Sequence, residues 1–161
     1  AIAHEAMAAA IHEYVHIYQA AFQGPRGADP HHPEQQIPGP AWLTEGAATY
    51  MAIASAEDQS WAEMAHEQCE SSFRAAAEEH GIFLNDGETY DKLGDSELVH
   101  AVLYQGGATA VKWLIDSQSD ETFWNTYYTE IPELGWERAF ERAFGMTIAS
   151  FYAALRDHLG L

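Results

Sequence analysis

The chain opens on a long run of small and apolar residues at helical spacing, with nothing to interrupt the period. From residue 2 to about residue 22, Ala, Met, Ile and Glu dominate and neither Gly nor Pro occurs. That pattern predicts one helix, ended by Gly24-Pro25. Residues 23–41 hold five prolines and predict a loop, in which His31 and His32 read as solvated side chains. Trp42 to about Ser55 predicts a second helix. A third runs from a Ser60 cap, with Glu63 completing a capping box, to about Glu79, and Gly81 stops it.

Beyond residue 80 the period is lost. Ile82-Phe83-Leu84 fits either a short strand or a buried turn, and Asn85-Asp86-Gly87 is turn chemistry. Ser96 then caps a long helix to about Ser117. Ser119 caps another, which Ile131-Pro132 is expected to break. Gly135 to Phe144 and Thr147 to Leu159 predict a closing helical pair split by Gly145. The aromatic spacing there, Trp136, Phe140, Phe144, Phe151 and Tyr152, reads as core. No internal repeat or linker divides residues 1–161, so the expectation is a single, mainly α domain.

Composition narrows the functional classes. Hydrophobic residues make up 47% of the 161 positions, enough for a real core. Against 25 acidic residues stand 7 basic ones, a net charge of -18. Such a chain repels nucleic acid and anionic membranes, which argues against both as partners. The acidity fits a solubility shell for a salty, extracellular or cell-envelope setting. The single cysteine, Cys69, excludes an internal disulfide, and its acidic helical surroundings argue against a thiolate nucleophile. No apolar run is long enough to cross a bilayer. Helix-like sequence from the first residue reads as a fragment or a processed form.

Candidate chemistry lies in the first helix, in His12-Glu13-Tyr14-Val15-His16. Helical positions four apart share a face, so His12 and His16 can aim two imidazoles at one metal ion. Glu13 projects beside them, where its carboxylate could deprotonate a water. A catalytic zinc site needs a third protein ligand and an open fourth position. Glu45, set among Trp42, Leu43 and Ala47, supplies a carboxylate that is costly to bury unless paired or metal-bound. Gly46 beside it allows another backbone to come close. Farther on, Tyr104 precedes Gly106 and Gly107, an unusual pair for a helix interior. The pair predicts close packing of that helix onto the zinc helix.

His12-Glu13-x-x-His16 followed by Trp42-Leu43-x-Glu45-Gly46-x-Ala48-x-Tyr50 resembles the gluzincin metallopeptidases, and most of all the peptidase-MA-like relatives of aminopeptidase N. Leu103-Tyr104-Gln105-Gly106 and the closing stretch from Gly135 to Phe151 are similar to later segments of that family. The resemblance implies a zincin-like helical domain with the active-site helix at the N-terminus. It implies one zinc ion on His12, His16 and Glu45, with Glu13 as general base and Tyr104 stabilising the oxyanion. His100, four residues before Tyr104, is the reserve for that last role. The implied activity is hydrolysis of a peptide or protein substrate. The chain departs from the family in three places. Twenty-eight residues separate His16 from Glu45, Thr49 stands where many relatives carry an acidic residue, and only eleven residues precede His12, too few for the family's β-sheet.

Two other classes fit parts of the sequence. Glu13–His16, Glu63–His66 and Glu97–His100 repeat the E-x-x-H spacing of carboxylate-bridged di-iron bundles, which would make this an oxidase or an iron-handling protein. A non-catalytic helical binding module is the remaining option.

Overall fold

The computed structural model of this chain describes residues 2–22 and 39–161. His31 and His32 fall outside them. The described residues are helical, with no strand among them: α1 (Ile2–Ala20), α2 (Ala41–Ala54), α3 (Gln59–His80), α4 (Ser96–Val99), α5 (Gly107–Ser117), α6 (Tyr128–Leu134), α7 (Trp136–Phe144) and α8 (Ile148–Leu159). A mainly α domain around one principal core is what the hydrophobic pattern predicts.

The centre of that core is α2. Its first eight residues, Ala41 to Ala48, are all buried, because the helix is apolar on every side at that end and other elements cover it on every side. Trp42 is fully buried, stacks on Phe151 of α8 at 5.5 Å and donates its indole N–H to Tyr152 Oη at 2.9 Å. The first amide of α2 has no partner within the helix. Ala41 N finds one across the fold, on Glu88 O at 2.9 Å. Phe140, Phe144 and Phe151 lie in the same core, as their spacing predicts.

Helix ends differ from the sequence reading in detail. The third helix is capped by Asp58, whose carboxylate accepts from Ser60 N and Trp61 N, and Ser60 merely adds a hydroxyl bond to it. Asp95 likewise caps α4 ahead of Ser96. An ionised side chain that takes two backbone N–H groups outcompetes a serine nearby. Ile82 to Leu84 form no strand. Phe83 and Leu84 are buried in a turn that Asp86 closes by accepting from Phe83 N at 2.8 Å. Nor does Pro132 break its helix. α6 runs through Pro132 to Leu134 and ends at Gly135, whose φ is +78°.

The long helix after residue 95 is continuous but not uniform. Between α4 and α5, residues His100–Gly106 wind as a π-helix, the widened turn that recurs at functional sites. It leads into a backbone contact with α2. A Cβ on Gly107 would meet Trp42 O at 2.2 Å, and one on Gly46 would meet the Gly107 carbonyl carbon at the same distance. Gly107 therefore presses onto α2 rather than onto α1, while Gly106 faces the Phe73 ring of α3. Close packing at the glycines is as expected, but its partner is the helix that carries Glu45.

Candidate metal centre

Three helices converge on one point. α1 brings His12 and His16, α2 brings Glu45, and the π-turn brings Tyr104. His12 Nε2 and His16 Nε2 lie 3.1 Å apart, and Glu45 Oε2 is 3.3 Å from the first and 3.5 Å from the second. Two unsaturated ring nitrogens meet at such a distance only when a proton or a cation sits between them. Metal–ligand bonds of about 2.0–2.2 Å give a tetrahedron edges of about 3.3–3.6 Å. Two of the three separations fall in that range and the His12–His16 one lies just below it, and His12, His16 and Glu45 are the one group of three or more such side chains that could hold an ion among the described residues.

Glu45 is 7% exposed, so its carboxylate is buried and has to be paired. Burial by itself would raise its carboxyl, but hydrogen bonds from His12, His16 and Tyr90 outweigh it and hold the group well below the usual carboxylate range. His16 is raised, chiefly by its bond to Glu45. The carboxylate is held anionic beside two imidazoles, a donor set that could hold a cation.

The sequence-predicted residues meet here unequally. Glu13 is exposed, and its charge is felt at both His16 and Tyr104. Tyr104 stacks on His12 at 5.9 Å with rings 17° from parallel, and His100 stacks on Tyr104 at 5.4 Å. Burial, then the Glu45 charge, raises the Tyr104 phenol, which stays a donor at neutral pH. His100 is not part of the His12–His16–Glu45 group. Glu63 and His66 lie apart, on the wall of a cavity of about 440 Å³ shared with Lys112, Asp116 and His158. Neither the Glu63–His66 nor the Glu97–His100 pair joins the three-ligand group.

Two functional side chains escape sequence reasoning. Gln19, 2% exposed, contacts His16 Nδ1 at 2.9 Å through Oε1 and sends its amide N–H groups to Thr44 O and Tyr128 Oη, each at 3.0 Å. It does for His16 what an acidic residue at position 49 would do for a ligand, orienting the ring from behind. Its one sequence signal is a polar residue in register with the apolar stripe of α1, one turn after His16. Tyr90, in a 3₁₀ turn (Tyr90–Lys92), donates its hydroxyl to Glu45 Oε1. Nothing in the local pattern marks it. No family model matches this chain, and neither does any curated protein or solved structure.

Proposed function

We propose that this chain is a zinc-dependent peptidase that hydrolyses peptide bonds in a peptide or protein substrate. The observation that supports this most is the size of the triangle formed by His12 Nε2, His16 Nε2 and Glu45 Oε2, with sides of 3.1, 3.3 and 3.5 Å. Two imidazoles and one carboxylate are the donor set of a catalytic rather than a structural zinc site, because three protein ligands leave a fourth position open. When bound, the ion supplies Lewis acidity, lowering the pKa of a water towards about 7 and polarising a carbonyl.

The remaining steps belong to the chain's own side chains. Glu13, on the solvent side of the histidine pair, takes a proton from the attacking water and returns it to the leaving amine. One C–O bond forms, one C–N bond breaks and one water is consumed. Tyr104, held against the His12 ring, donates to the oxygen on which negative charge develops. Gln19 keeps His16 in the required tautomer. The gluzincin resemblance of the motifs points the same way.

Elemental analysis together with one substitution tests this. The purified protein should carry one zinc ion, lost in His12→Ala, His16→Ala and Glu45→Ala. Glu13→Gln should keep the metal and lose peptide hydrolysis by a factor on the order of a hundred or more. Two irons per chain, or full activity in Glu13→Gln, would overturn the proposal.

A further inference from the structure

Glu45 has two oxygens, and the structure uses them differently. Oε2 faces His12 and His16, while Oε1 takes the hydroxyl of Tyr90. We propose that Tyr90 is a positioning residue that makes Glu45 a one-oxygen ligand. The inference rests on the metal reading above and assigns a role to a residue that the motifs do not include.

A carboxylate beside a cation can chelate through both oxygens, and a second oxygen would take up the coordination position that a reacting water needs. A hydrogen-bond donor fixed on Oε1 prevents this by holding the carboxylate plane and occupying the lone pairs of that oxygen. Such a donor works only if it is itself held in place, and the Tyr90 turn is. Two residues before it, Glu88 accepts from Ala41 N, the first amide of the helix that carries Glu45, at 2.9 Å. The Glu88 side chain accepts from Tyr152 Oη at 3.3 Å, and Tyr152 in turn accepts from Trp42 on α2. Three residues after Tyr90, Leu93 is buried in the core. The turn and the start of α2 therefore form one unit, and the distance from Tyr90 to Glu45 is set by the same bonds that set the start of the helix. Tyr104 also hydrogen-bonds Glu45, but its hydroxyl has to leave that bond to serve the developing oxyanion, which leaves Tyr90 as the standing donor on Oε1.

Cobalt substitution reads the coordination number directly, since the visible d–d bands of a four-coordinate Co²⁺ ion are several-fold more intense than those of a five-coordinate one. Metal-free parent protein and Tyr90→Phe would each be titrated with CoCl₂ and with ZnCl₂, and melted with and without metal. Tyr90 is 40% exposed, but its hydroxyl serves the buried Glu45 carboxylate, so its loss should lower the metal-free melting temperature a little and the metal-bound one by more. The expected result is an intense four-coordinate spectrum in the parent, a weakened five-coordinate one in Tyr90→Phe, and zinc affinity reduced about 10–100-fold. Identical spectra and affinities overturn the inference while leaving the metal site standing. So does a loss of kcat alone, which would make Tyr90 a direct participant in the reaction. An equal fall in melting temperature with and without metal would show a purely structural hydroxyl and overturn it as well. A parent protein that takes up no Co²⁺ or Zn²⁺ would remove the metal reading itself, and this inference with it.

Discussion

Gln19 Oε1 accepts a hydrogen bond from His16 Nδ1 across 2.9 Å. The direction follows from the other end of the amide. Thr44 O can only accept, so the Gln19 nitrogen must face it, and the oxygen is left for the imidazole. His16 Nδ1 therefore carries the proton when the ring is neutral, which leaves the Nε2 lone pair for a cation at the His12–Glu45 corner. Replacing Gln19 by Met keeps the volume and removes all three bonds. Zinc affinity should fall about 10–100-fold, and stability should drop by about 1–3 kcal/mol as the buried partners lose a donor and an acceptor. Metal titration and thermal melting measure the two effects. An unchanged zinc affinity would mean that the ring is oriented by something else.

Tyr104→Phe should fold, keep zinc and lose about 3 kcal/mol of transition-state stabilisation. The loss should appear in kcat with little change in KM, because the bond forms only as the oxyanion develops. Steady-state kinetics on a zinc-loaded, folded variant decide it. Undiminished kcat would transfer attention to His100 beside it.

Gly107→Ala tests the crossing of α2 and α5. Its new methyl would sit 2.2 Å from Trp42 O and 2.7 Å from Gly46 Cα, and neither backbone can step aside without moving Glu45. We expect a cost of about 3 kcal/mol or more, together with weaker metal binding. Chemical denaturation gives the first and zinc titration the second. Gly94→Ala, where a Cβ would meet nothing within 4 Å but φ is +66°, should cost about 1 kcal/mol through backbone strain and leave zinc affinity alone.

The acid side of the stability profile should depend on His66. Burial, then the Lys112 charge, lowers its pKa from 6.5 to about 4, and its Nδ1 is buried without a partner. The folded ring is therefore neutral, while the unfolded chain takes up a proton below pH 6.5. Stability contributed by the neutral ring is complete above that value and is lost as pH falls towards 4. Solvent reaches part of the ring, so the loss should be about 1–2 kcal/mol. Denaturation at pH 7 and pH 4.5 should show a smaller difference in His66→Gln than in the parent. An equal difference in both would clear His66 of the role.

Much of the site is legible in the chain because its pieces are local. His12 and His16 are one helical turn apart, and Glu45 announces itself as a charge inside an apolar run. Tyr104 stands out through the glycines that follow it. Tyr90 and Gln19 are illegible for the opposite reason. One bonds to a residue 45 positions away and the other reaches across 109, and no periodicity encodes either span. The same limit explains the glycine pair, whose need for close packing is local while the choice of α2 over α1 as partner is tertiary. At the helix starts, Ser60 and Ser96 look like caps until Asp58 and Asp95 are seen to take the amides, a contest between neighbours that spacing cannot settle.

Among its described side chains, the first helix meets the core through its second half, where Tyr18 packs against Trp124 and Tyr128. Val15 and Gln19 are buried, but Met7, Tyr14 and Ile17 are 57%, 70% and 68% exposed. A helix held mainly through its second half opens more easily than the rest of the domain, and this helix carries two of the three candidate ligands. The ion would then act as a clasp, because α1 could not lift away from α2 without breaking two of its bonds to the metal. Stripping the metal should let deuterium into the amides of residues 11–20 well before it reaches α2 and α5, which the Gly46–Gly107 contact keeps closed.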